Sequence, residues 1–211
     1  MKTIHIYIGK KKISCINKKS TQYDSSVQTI DPSHNSSEMI QVKLFRFLNS
    51  NSQNEMHYLG SSRSLLKCML HFFPLVEAAG GVILNHSGKT LFIYRRGSWD
   101  LPKGKMDPGE TPRKTAVREC EEECAVNGLK IEKKISDTWH MYAIEGKWVL
   151  KKTYWYLMKT DFRGKLVPQK AEGIRKAEWI PKSKIPLILK KTYPALTEML
   201  KDFYQNEKFK K

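Results

Sequence analysis

The sequence predicts an α+β protein in two parts, a small α+β extension over residues 1–74 and a larger domain over 75–211. Three observations carry this. Short β-branched and aromatic runs end at Gly/Asn turn signals, as strands do. Helix start and stop signals bracket residues 111–128. The pattern also changes at Ala78-Ala79-Gly80-Gly81-Val82-Ile83-Leu84, where a densely apolar strand follows a helical segment that stops before Pro74.

In chain order, residues 3–8 and 12–16 flank Gly9-Lys10-Lys11 and read as strand, tight turn and strand. Residues 18–37, rich in Ser, Asn, Thr, Asp and Lys, read as a loop. Met39, Val42, Phe45 and Phe47/Leu48 give Glu38–Leu48 one apolar side and so a helix. Asn49–Glu55 is polar connection. A second helix over Ser62–Phe73 stops before Pro74, because the residue before proline avoids helical geometry. This third of the chain has no catalytic constellation, and its role is open.

In the larger part, Asn85-His86-Ser87-Gly88 turns the strand through 78–84 into Thr90–Tyr94, a hairpin. Thr111 is a suitable N-cap and Pro112 a suitable first helical residue. That helix runs to about Ala125, with Asn127-Gly128 closing it. Strands follow at about 129–136, 138–144, 147–158 and 176–180. Residues 183–190 and 192–205 read as helices. No internal repeat is present.

Composition narrows the class. A chain of 211 residues with 40% hydrophobic and 28% charged content suits a globular protein with a substantial core. No run approaches the roughly 20 apolar residues of a membrane span, and the N-terminus lacks a signal-peptide pattern; the expectation is a cytoplasmic protein without a membrane partner. Cys15, Cys68, Cys120 and Cys124 lack zinc-like pairing and read as small apolar groups. The formal charge is +17. It is spread along the chain, with ten Lys/Arg against four Asp/Glu in 1–74 and twenty-eight against seventeen in 75–211. Such a field draws polyanions; a Lys-rich surface with no such partner has the same composition.

The informative segment is Gly104–Val126. On a helix turning about 100° per residue, with Glu119 as zero, Glu122 lies at about 300° and Glu123 at about 40°. Three carboxylates therefore share one face, while Ala116, Val117, Cys120 and Cys124 form an apolar stripe between about 60° and about 160°. Like charges at this spacing repel by tenths of a kcal/mol each. A hard divalent cation, Mg2+ or Mn2+, takes oxygen ligands and removes the conflict. It would also neutralise phosphate charge and acidify a bound water, whose proton another carboxylate can accept. A solvated acidic helix face is the bland alternative.

The segment resembles the Nudix box, G-x5-E-x7-R-E-U-x-E-E-x-G-U, with Gly104, Glu110, Arg118, Glu119, Glu122, Glu123 and Val126 in register. Chance agreement at its six glycine or charged positions is on the order of one in ten million starts. Residues 78–83, Tyr94-Arg95-Arg96 and Trp99-Asp100-Leu101-Pro102-Lys103-Gly104 are also similar to the strands and loop ahead of the box. Two positions depart from it: Ala125 replaces the usual Gly, and Cys120 replaces a larger apolar residue. Asn127-Gly128 could shift the helix closure.

The resemblance implies an α/β/α sandwich around a mixed sheet and a Mg2+- or Mn2+-dependent pyrophosphohydrolase. It implies Glu119, Glu122 and Glu123 as metal ligands, with the Gly104 carbonyl beside them. Glu119 or a neighbour would be the general base, and Arg118 would orient the acids through Glu110. A further acid beyond the box is expected; Glu172 is the candidate, ahead of Asp161 and Glu145. Arg95, Arg96, Lys103, Lys105 and Lys152 are candidate phosphate contacts, and Trp99 a candidate base contact. Each of these is equally readable as surface charge or core. The substrate implied is a small nucleotide polyphosphate. A dinucleoside polyphosphate is favoured by the 99–104 run and by Lys152–Met158, with diphosphoinositol polyphosphates and nucleoside triphosphates as rivals. Alternatives are an RNA 5′-end pyrophosphohydrolase or RNA-binding Nudix protein, and a non-catalytic nucleotide sensor. Oligomeric state is left open.

Overall fold

The structure is a computed structural model, and it describes residues 3–16 and 27–207. The chain divides into two compact units: residues 1–75 with 139–151, and residues 76–138 with 152–211.

The first unit holds β1 (His5–Ile8), β2 (Lys11–Ile16), β3 (Gln28–Ile30) and β4 (Glu55–Leu59), with helices α1 (Ser37–Asn49) and α2 (Ser62–Phe72). β1 and β2 are antiparallel, and β4 lies parallel to both β2 and β3. Alternation directs Ile6, Ile8, Ile13, Cys15, Met56 and Tyr58 into one core, where Leu44, Phe47, Leu65 and Met69 of the helices join them. Trp139, Met141 and Leu150 lie in that same core, which is why 139–151 belongs to this unit although the sequence places it with the larger domain. Two strands here, β3 and β4, differ from the sequence reading. Residues 28–30 fall in the segment read as loop, and Glu55–Leu59 is too short and mixed to show an alternation. The part of that loop over 17–26 lies outside the described residues.

The second unit is a layered sheet. Its strands are β5 (Leu75–Asn85), β6 (Thr90–Arg95), β7 (Ser98–Asp100), β8 (Lys103–Lys105), β11 (Ile174–Ile180), and the parts of β9 (Lys130–Ile144) up to residue 138 and of β10 (Lys147–Thr160) from residue 152. The order is β11-β6-β5-β10-β9, with β7 on β6 and β8 on β5. Side chains alternate between two cores. Val82, Phe92, Trp155 and Leu157 face α4 (Ile185–Leu189) and α5 (Pro194–Glu207), packing on Ile185, Leu196, Met199, Leu200 and Phe203. Ile83, Leu91, Ile93, Tyr156 and Met158 face α3 (Pro112–Cys124), packing on Ala116, Cys120 and Cys124. This is the expected α/β/α sandwich with a mixed sheet. The strands read separately at 129–136 and 138–144 are one continuous β9. The short β7 and β8, hidden in the Trp/Pro/Gly loop, have no sequence period. Among the described residues no helix is long and apolar enough to cross a membrane.

The four cysteines are free, with three buried and Cys68 half-buried. α3 begins as read, with the Thr111 hydroxyl accepting from the Lys114 amide and Pro112 in its first turn. Its end differs. Ala125 itself takes the left-handed conformation, φ 51° and ψ 32°, so closure is not shifted to Asn127-Gly128. The final carbonyls are satisfied from elsewhere: Val167 N–H donates to Cys124 O and Gln169 N–H to Glu123 O, each at 3.0 Å. An L-residue in this conformation costs about 1–2 kcal/mol, which glycine avoids. Ala125→Gly is therefore expected to stabilise the protein by about 1 kcal/mol, a Tm gain of about 2–4 °C. Thermal unfolding checks it, and a lowered Tm would contradict the strain.

Candidate active site

α3 and β8 build the site together. β8 pairs with β5 through Ala79 opposite Gly104 and Ala78 opposite Lys105. This lays Gly104 against α3 so closely that a Cβ there would fall inside the Glu119 carboxylate. Glycine is required by contact at this position, not by backbone dihedral.

Arg118 joins the acids. Its Nε and Nη2 donate to the two Glu110 oxygens at 2.9 and 2.8 Å, and Nη1 donates to Glu119 at 2.8 Å and Glu122 at 3.2 Å. Nη2 also donates to the Lys105 carbonyl at 3.1 Å and lies 3.5 Å from the Asp107 carboxylate. The planar guanidinium provides five donors in fixed directions, a task a lysine ammonium cannot perform. Hydrogen bonds from Arg118 and then Thr115 pull the Glu110 carboxyl down to about 2. The same Glu110 bonds raise Arg118 well above its ordinary value.

The three helix acids have different surroundings. Glu122 is exposed. Glu119 is half-buried; desolvation raises its carboxyl, Arg118 opposes, and the nearby charges of Glu122 and Glu172 raise it further. Glu172 thus stands close enough to act on Glu119 electrostatically. It is held there by the 167–169 segment on the α3 carbonyls and by a 3-10 turn at Lys170–Glu172. Glu123 is 1% exposed. It accepts from the Lys103 amide at 2.9 Å and from Arg95 Nη1 at 3.4 Å. On the helix it borders the apolar stripe and, like Glu119, lies against β8, Glu119 at Gly104 and Glu123 at Lys103, while Glu122 stays exposed. Burial pushes Glu123 from the ordinary 4.5 to about 7, against the pull of Lys103 and Arg95.

The remaining predicted residues separate into buried and exposed groups. Lys103 Nζ lies 2.5 Å from Asp100, and Arg95 Nε lies 3.9 Å from the same carboxylate. With Glu123 they form a buried group of two cations and two acids. Trp99 packs edge-on against Tyr94, ring centroids 5.3 Å apart, and lies partly buried against the α5-side core. Arg96, in the turn after β6 with φ 51°, and Lys105 are exposed. Lys152 sits over the Tyr154 ring, 4.0 Å from its centroid, and 3.4 Å from Asp137. Asp161 is exposed after β10, and Glu145 lies in the other compact unit. The sequence reading missed Asp100 and Thr115. Only the Asp100–Lys103 spacing hinted at the first; nothing marks the second.

As they stand, no three His, Cys, Asp or Glu side chains among the described residues are gathered for one ion. The donor set nonetheless fits Mg2+ or Mn2+. It is all oxygen, and the charges of Glu122 and Glu172 act on Glu119, whose carboxylate lies against the Gly104 backbone. Those residues would hold a cation, with Glu123, whose Oε2 accepts from the Lys103 amide next to Gly104, beside them.

The family profile described as NUDIX domain matches residues 74–203. The chain belongs to the Nudix hydrolase family. The chain is 37% identical over 59 residues to a putative 8-oxo-dGTP diphosphatase 3 of Mycobacterium tuberculosis, covering 28% of this chain and 26% of that one. It is 32% identical over 105 residues to an RNA pyrophosphohydrolase of Bartonella quintana, covering 44% and 57%. The first matched relatives are thus spanned over only about a quarter to a half of their length. In fold, the chain is similar to a MutT protein from Methanosarcina mazei, with TM-score 0.51, 17% identity, and 64% and 97% coverage.

A carboxyl raised above its unfolded value binds its proton more tightly in the folded chain. Glu123 therefore lowers stability progressively as pH rises from 4.5 to about 7, and fully above it. Glu110 has the opposite linkage: its stabilisation is present above 4.5 and lost as pH falls towards about 2. Glu123→Gln keeps an acceptor for the Lys103 amide. In metal-free protein it is expected to raise Tm at about pH 8 and to flatten the decline of Tm between about pH 5 and 7.5. Differential scanning calorimetry checks this; an unchanged slope would contradict the assignment.

Proposed function

We propose that this chain is a metal-dependent pyrophosphohydrolase that cleaves a phosphoanhydride bond in a nucleoside polyphosphate. The observation that carries the proposal is the Arg118 guanidinium binding Glu110 while holding Glu122 and the Glu119 carboxylate that lies against Gly104, with the Glu172 charge close by. Glu119, Glu122, Glu123 and Glu172, with the Gly104 carbonyl, would hold Mg2+ or Mn2+. Such a cation neutralises phosphate charge and lowers the pKa of a water it binds. Glu119 is the proton acceptor we assign: its half-buried carboxylate lies against Gly104, at the centre of the acids that Arg118 orients. Exposed Arg96 and Lys105 are the candidate phosphate contacts. Lys152 over Tyr154 offers a cation and a ring to a nucleotide. Partly buried Arg95 and Lys103, also candidate phosphate contacts, pair with Glu123 and Asp100.

Within this class a dinucleoside polyphosphate is the first substrate to test, on the strength of the Trp99–Gly104 and Lys152–Met158 runs. An RNA 5′ end is the second. It is favoured by the +17 charge and by likeness to a protein named RNA pyrophosphohydrolase; its binding would weaken steeply with added salt. The test is a Mg2+-dependent panel of dinucleoside polyphosphates, nucleoside triphosphates, inositol pyrophosphates and 5′-triphosphate RNA, with products identified. Glu122→Gln is expected to lower kcat at least about a hundredfold on the preferred substrate. Equal turnover by that variant would overturn the mechanism. A wild type that binds nucleotides without cleaving any would make it a sensor.

A further inference from the structure

We infer that Thr115 is a positioning residue of this site, acting through Glu110 on Arg118; the inference rests on the reading just proposed. Thr115 lies one helical turn after the N-cap of α3 and is fully buried. Its hydroxyl has two acceptors within reach, Glu110 Oε2 at 2.8 Å and the Thr111 carbonyl at 3.3 Å. One hydrogen serves one strong bond, and the shorter, charged acceptor takes it. The Thr111 carbonyl already receives the Thr115 amide at 3.0 Å, so it needs nothing from the hydroxyl.

The consequence lies in the geometry of Glu110. Its Oε2 accepts from Thr115, from Arg118 Nη2 at 2.8 Å and from the Asp107 amide at 3.3 Å, while Oε1 takes Arg118 Nε at 2.9 Å. The Asp107 amide and the Arg118 guanidinium both approach from partly exposed ground. Thr115 is the sole fully buried donor in this set, and it fixes the carboxylate plane from the core side. That plane dictates the direction of the guanidinium fork, and hence where Nη1 holds Glu119 and Glu122. Without the hydroxyl, Glu110 can turn about its last bond towards solvent, and Arg118 turns with it. The acids then keep their charges but lose their shared orientation.

The test compares Thr115→Val, which keeps the branched shape and loses the donor, with Thr115→Ser, which keeps the donor. Two readouts are taken on the full chain: Mn2+ affinity without substrate, by electron paramagnetic resonance of the free ion, and kcat and KM on the preferred substrate. Loss of a charge-assisted bond sets the scale at about tenfold. Thr115→Val is expected to weaken Mn2+ binding several-fold and lower kcat about tenfold with KM nearly unchanged, and Thr115→Ser to restore most of both. The inference is overturned if Thr115→Val matches wild type in Mn2+ affinity and kcat. It is also overturned if Thr115→Ser fails to rescue, or if both variants lose activity only in proportion to a fall in Tm. A wild type with no hydrolysis would retire the enzymatic reading alone, since the Mn2+ titration still decides the part played by Thr115.

Discussion

The site depends on one guanidinium. Without Arg118, three acids from one helix and its preceding loop would face one another across a few ångströms. Fixed donors aimed at Glu110, Glu119 and Glu122 turn that repulsion into a defined arrangement, in which each carboxylate has a set direction. The contacts are partly exposed, so their worth lies less in stability than in orientation. The surrounding features serve the same end. Gly104 leaves room for Glu119, the Thr111 cap starts the helix at the right residue, and the 167–169 segment covers the α3 carbonyls while delivering Glu172.

Beneath that layer, Arg95, Asp100, Lys103 and Glu123 form a second, drier one. Burying charges is costly unless they are paired and hydrogen-bonded. Here the pairing is incomplete, for Arg95 Nε is buried without a hydrogen-bond partner, and Glu123 shows the cost as a raised carboxyl. Such a group fixes the β7–β8 loop firmly, since moving any one member strands another charge. It ties the backbone that carries Gly104 to the helix that carries Glu119. The two layers therefore meet on the same short stretch of chain.

Much of this is legible in the sequence, and the boundary is physical. The α3 spacing yields the helix, its cap and its apolar stripe, because one period sets all three. The sandwich follows from strands whose alternate residues feed two cores. The burial of Glu123 is not legible, because a position on a helical projection describes direction and not depth. The neighbouring loop, absent from any such projection, decides whether that direction is solvent or interior. Ala125 in place of glycine suggests closure further along the chain, yet backbone donors from 167–169 hold the carboxy end where it is. β3, β4, β7 and β8 are three to five residues long, too short for a period to show. The transfer of 139–151 to the N-terminal unit rests on contacts far apart in sequence.

The most direct measurement is on Arg118→Lys, which preserves the positive charge and removes the planar fork. If orientation by the guanidinium is what makes the site, this variant folds with a near wild-type Tm while its Mn2+ affinity and metal-dependent kcat both fall at least about tenfold. A lysine enzyme that binds Mn2+ and turns over substrate as wild type does would show that charge alone suffices, and would contradict the account.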